Sequence, residues 1–73
     1  MNNCYEELKR LLFIRAYRAE RAFYDGLEYG FDAKSEGMRE AFGRFDALTQ
    51  LIKSAELTDE YKDFKSKQEE KTA

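Results

Sequence analysis

The chain contains no proline, no histidine and no tryptophan, and it has a single cysteine, Cys4. Each absence closes a class of structure or chemistry. Without proline, nothing in the sequence forces a helix to break. One cysteine cannot form an internal disulfide, and without histidine the common zinc ligand sets are out of reach. Acid–base catalysis near neutral pH most often uses histidine, and a nucleophilic cysteine needs a base, normally histidine, beside it. Cys4 therefore reads as a small, semi-exposed residue near a terminus. The four glycines form no phosphate-binding loop. The expectation is a protein that is not an enzyme, with no catalytic residue, no metal site and no cofactor. No apolar run approaches the ~20 residues of a membrane span, so no membrane partner is expected. The opening "MNNCYEELKR" carries no leader pattern, and a lone free cysteine suits a reducing compartment. A cytoplasmic location is the resulting expectation.

What is present is helical. Of 73 residues, 38% are charged and 15% aromatic, with a formal net charge of −2. The aromatic content excludes a disordered tail, and the mixed signs exclude a basic nucleic-acid arm. A chain of this length makes one small domain whose lone core is marginal, so regular helices and self-association are the expected means of support.

The spacing predicts helices over about 4–29, 34–56 and 59–66. Together they form one domain over 1–66, followed by a fraying tail over 67–73. Asn3 with Glu6 has the form of a capping box. Apolar residues then recur at Leu8, Leu12, Ala16, Ala19, Phe23 and Leu27, with Leu11 and Ala22 widening one edge. Gly30 is placed to end the first helix, and Asp32 or Ser35 to cap the second. The second helix carries a heptad, with Met38, Phe45 and Ile52 at one position and Ala41, Leu48 and Ala55 at the other. Phe42 and Leu51 flank it. The third segment, opening at Thr58, presents Tyr61 and Phe64 on one side. The fold class expected is all-α: a long antiparallel hairpin with a short third helix, self-associating into a bundle.

On the helical wheel Phe13, Tyr17 and Tyr24 fall together, roughly 110° from the centre of the Leu8–Leu27 stripe. Two readings stand side by side. Either the third helix folds back and covers this face with Tyr61 and Phe64, or it is a partner surface. Arg15 and Arg18 have no acid three or four residues away. Arg15 either pairs with an acid of another helix, such as Glu56, or joins Arg18 and Tyr17 in a patch for an acidic or phosphate-bearing partner. Gly43 marks either an exposed helix surface or a close backbone approach. Between Asp25 and Glu60 there are nine acids against four bases, which makes the hairpin end acidic and the middle of the first helix basic.

The partner-binding residues expected are Phe13, Arg15, Tyr17, Arg18 and Tyr24, because tyrosine and arginine are favoured interface anchors. The function expected is that of an inhibitor or regulatory adaptor that occupies a surface on another protein, with a homodimer as its own assembly. Nucleic acid or a nucleotide phosphate, held by the Arg/Tyr face, is the alternative partner. In size and style the chain is similar to accessory proteins of phages and mobile elements, a likeness that carries no residue assignments.

Overall fold

The computed structural model describes residues 3–72 as three helices, α1 (Asn3–Glu28), α2 (Glu36–Ser54) and α3 (Thr58–Thr72). The fold is all-α. The first two helices pack closely along their length as an antiparallel hairpin, and α3 folds back beside them. The Asn3 side chain, and with it the expected capping box, lies outside the described residues; Glu6 instead pairs with Lys9 at 3.2 Å.

The first turn is built from the residues the sequence supplies for it. Gly30 adopts φ 91°, a left-handed conformation that costs glycine little. The amide of Gly30 donates to the Leu27 carbonyl and that of Phe31 to the Gly26 carbonyl, so the last carbonyls of α1 are satisfied. Asp32 and Ser35 then share the start of α2. The Asp32 carboxylate accepts from the Lys34 amide at 2.9 Å, and the Ser35 hydroxyl donates to the Asp32 carbonyl while accepting from the Met38 amide. Ser35 is the N-cap, with extended backbone and an acid, Glu36, directly after it.

The second turn repeats the same hydrogen-bond closure without glycine. The amide of Glu56 donates to Lys53 and that of Leu57 to Ile52. Glu56 takes φ 58°, where a side chain is strained. Leu57, the next residue, is buried and locks the corner. From there α3 runs to Thr72 rather than ending near residue 66. The segment expected to fray is rich in Lys, Glu and Gln, which are good helix formers, and Asp63 pairs with Lys67 across one turn at 3.3 Å. Local propensity carries the helix past its last packing residue.

The core is compact and lies at one end of the hairpin. Phe13, Ala16, Ile52, Leu57 and Tyr61 form a buried cluster, with Leu12, Tyr17, Leu48 and Phe64 packed against it. All three helices contribute. Met38 is buried separately against Gly26, where an added Cβ would sit 2.7 Å from the methionine sulfur. The core face of α1 differs from the expected stripe. Leu8 is 67% exposed, and Leu11, Leu27 and Ala22 also face solvent. The reason is that α1 has two neighbours on adjacent sides, so its buried face centres between the two expected faces. In α2, Met38 and Ile52 are buried as the heptad requires, Ala41, Phe45 and Leu48 are half-buried, and Ala55 is exposed.

The molecule is a slab of 44 × 28 × 17 Å with a radius of gyration of 13.5 Å. A compact domain of this length has a radius near ~11 Å. Its surface is 5994 Å², whereas a folded monomer of 8.6 kDa exposes about 4,700 Å².

Candidate functional site

The structure divides the five expected binding residues among three places. Phe13 is only 5% exposed and belongs to the core. Its ring packs on Tyr61 and Phe64 at centroid distances of 5.4 and 5.6 Å. Tyr17 is half-buried and meets Phe64 edge-on at 6.3 Å. The expectation of Phe13 as an exposed anchor is therefore corrected: α3 folds back onto this face and covers it. Tyr24 lies beyond the reach of α3 and remains 47% exposed. Arg15 and Arg18 stand on the opposite side of α1, about 160° around the helix from Phe13 and Lys9.

Two charged clasps hold α3 in place. At one end Lys9 Nζ donates to Glu60 at 2.7 Å and is also within reach of Glu6. The hydrogen bonds to Glu60 and Glu6 hold the ammonium above its ordinary 10.5. Further along α3, Glu20 accepts from Lys65 Nζ at 3.1 Å and from the Tyr61 hydroxyl at 3.4 Å. Lys65 Nζ also sits 4.7 Å from the Tyr61 ring centre. Burial, then the Glu20 charge and its hydrogen bond, push the Tyr61 phenol well above its ordinary 10.0. These side chains serve structure, and neither clasp leaves a buried side-chain polar atom unpaired.

On the other side of the hairpin none of the described residues covers the seam between α1 and α2. A groove of about 570 Å³ runs there, lined by Arg15, Arg18, Ala19, Ala22, Arg44, Ala47 and Leu48. Ala22 also borders a second hollow of about 380 Å³ toward the turn, with Gly26, Phe31, Met38 and Ala41 in its wall. The two hollows thus meet at Ala22. Their linings are mostly small side chains, and the charged residues among them are the three arginines. Arg15, Arg18 and Arg44 make no ion pair among the described residues, whereas Lys9 and Arg21 are both committed to internal partners. Arg15 does not pair with Glu56: it points into the open seam, while Glu56 is fixed in the turn that ends α2.

Arg44 was not expected at the site. It stands one helical turn before Leu48 and Ala47, and the sequence signal for it is its place on the same flank of α2 as Leu51 and Ala47. Leu8 and Leu11 share the corresponding flank of α1. The exposed leucines thus extend the groove's side of the hairpin past the arginines.

A second exposed feature is an aromatic corner on the α3 side, past the end of its cover. Phe23 contacts Tyr24, Phe42 and Phe45 at centroid distances of 5.3 to 5.9 Å, and Tyr24 and Phe42 remain about half exposed. Among the described residues, nothing beyond its own stretch of helix lies within 4 Å of where a Gly43 Cβ would stand, so no other helix approaches it there. Cys4 is exposed. Among the described residues no three His, Cys, Asp or Glu side chains converge, and no helix is long and apolar enough to cross a membrane.

No family model, curated protein or solved structure matches the chain, so what bears on its function is its own geometry.

Proposed function

We propose that this chain is a small non-enzymatic binding module, an inhibitor or regulatory adaptor that acts by seating part of another protein against its α1/α2 seam. The observation that carries the proposal is the open groove with three unpaired guanidinium groups along it. Arginine supplies planar, bidentate hydrogen bonding at interfaces, and apolar walls beside it keep water away from those bonds. The exposed leucines at positions 8, 11 and 51 add apolar area on the same side.

The experiment is capture from a host extract by the wild-type protein and by Arg15→Glu with Arg18→Glu. Both residues are exposed, so the double variant is expected to melt within ~0.5 kcal/mol of wild type. A protein retained by wild type and lost by the variant supports the proposal. A captured set that the variant leaves unchanged refutes it.

Self-association into a homodimer is a second reading. Its support is the surface area, about 1,300 Å² above that of a compact monomer, together with the half-exposed aromatic corner of Tyr24 and Phe42. Light scattering across micromolar concentrations tests it, and a monomer throughout refutes it. A nucleic-acid or nucleotide-phosphate function is less well supported. It uses stacking aromatics beside the basic groups, yet Tyr17 is engaged with Phe64 on the far side of the helix from Arg15.

A further inference from the structure

We infer that the occupant of the α1/α2 groove is an acidic amphipathic helix, one whose narrow apolar stripe is flanked by carboxylates on both edges. This inference rests on the binding reading above and names the chemistry of the partner.

The shape argues for a helix. Two antiparallel helices packed side by side leave a straight furrow on each face of the pair. Here α3 lies against one face and the other is empty. The open furrow is floored by Ala19, Ala22 and Ala47. Helix axes approach to between ~8 and 10 Å depending on the side chains at the contact, and alanine permits the close end of that range. A third rod then completes a bundle whose seam the hairpin alone leaves open.

The charge argues for acid on both edges. Arg15 and Arg18 come from α1 and Arg44 from α2, so guanidinium groups border the furrow on its two sides. None has a carboxylate partner among the described residues. A helix laid between them meets positive charge on both of its flanks, and bidentate carboxylate recognition is what arginine does best. A second copy of the chain fits less well. With the two furrows overlapped, six guanidinium groups, three from each copy, would face one another. Nucleic acid fits less well again, because its phosphates would lie over alanine and leucine walls.

The test uses two labelled peptides with the same leucine heptad. One carries glutamate at the flanking positions and the other lysine. Fluorescence anisotropy is read at about 150 mM salt, where exposed charges are screened beyond ~8 Å. The glutamate peptide is expected to bind saturably, at least about tenfold more tightly than the lysine peptide, a difference of ~1.4 kcal/mol. The triple variant Arg15→Glu, Arg18→Glu, Arg44→Glu is expected to reverse that preference. The neutral variant Arg15→Gln, Arg18→Gln, Arg44→Gln should abolish the preference, and it stands in for the first if charge reversal disturbs the fold. Equal binding of both peptides, or binding of the glutamate peptide that survives the triple variant, overturns the inference. So does displacement of the glutamate peptide by an oligonucleotide at lower concentration than by unlabelled peptide. Failure to bind the glutamate peptide while extract capture remains arginine-dependent would overturn the acidic-helix inference and leave the binding function standing.

Discussion

Adjacent residues of α2 provide a sharp test of the packing. Ile52 is 2% exposed and touches the cluster that joins all three helices, whereas Leu51 is 53% exposed on the open side. Replacing either with alanine removes the same three carbons. At Ile52 the lost transfer energy is about 2.4 kcal/mol at ~0.8 per methylene. A cavity that fails to collapse adds ~1–2 kcal/mol. The Ile52→Ala cost is thus ~2.5–4.5 kcal/mol. A chain of 73 residues has about 4–11 kcal/mol to lose. At Leu51 half of the side chain is already in water and no cavity forms, so the cost is at most ~1 kcal/mol. In a domain this small each kcal/mol moves the midpoint by roughly 4–8 °C. Circular-dichroism melts should therefore show a fall of ~10–36 °C for Ile52→Ala and under ~8 °C for Leu51→Ala. Equal falls, or a larger one for Leu51, would refute the assignment of faces. If the Leu51 loss alone grew with protein concentration, a second copy would be covering that side.

Other perturbations follow from single features. Glu56→Gly should stabilise by up to ~1 kcal/mol, because glycine relieves the left-handed strain while adding some unfolded-state entropy; a lower midpoint would contradict it. Gly43→Ala should also stabilise, by ~0.5–1 kcal/mol, since the site is open and helical; a loss of partner capture alongside would instead place an interface there. Stability should fall at alkaline pH. Tyr61 and Lys9 both have raised pKa values in the fold, so the folded state holds their protons more tightly. Their contribution is complete below about 10, the ordinary tyrosine value, and is lost as pH rises beyond it. Tyr61→Phe keeps the ring and should flatten the first part of that decline; an unchanged pH profile would show the phenol to be solvated. Removing residues 67–73 should leave the midpoint within ~0.5 kcal/mol of wild type, as none of the described residues in that segment belongs to the buried cluster.

Much of the architecture is legible in the sequence. Gly30, Asp32 and Ser35 announce the first turn because each does local work that neighbours far along the chain do not alter. Met38 and Ile52 announce the inner face of α2 for the same reason. The second turn is less visible: Glu56 adopts a glycine conformation that its side chain gives no hint of, and the buried Leu57 imposes it. The inner face of α1 is misplaced because a helical wheel shows apolar direction but not the number of neighbours. Leu8 and Leu11 extend the apolar arc on one side and Phe13 and Tyr17 on the other. Only the docking of α3 decides that the second pair is covered and the first is not. Gly26 is likewise silent until Met38 is seen against it. At the candidate site, Arg15 and Arg18 are visible as bases without local acids. Arg44 enters only when the hairpin brings α2 alongside them.

The way α3 is held has a consequence for how the molecule opens. The α1/α2 pair is joined by a short turn with its own hydrogen bonds and packs more extensively than either helix packs on α3. α3 is fastened by one aromatic cluster and two clasps at its first turns, all to residues distant in sequence. Its detachment is a partial unfolding step that costs less than global unfolding. Amide hydrogens of α3 should accordingly exchange faster than those at the centre of α2. While α3 is away, Phe13, Tyr17 and Ile52 stand uncovered on a hairpin that is still intact. The molecule then presents apolar surface on both sides of one helical pair, and a ligand that captures this state competes directly with the protein's own third helix.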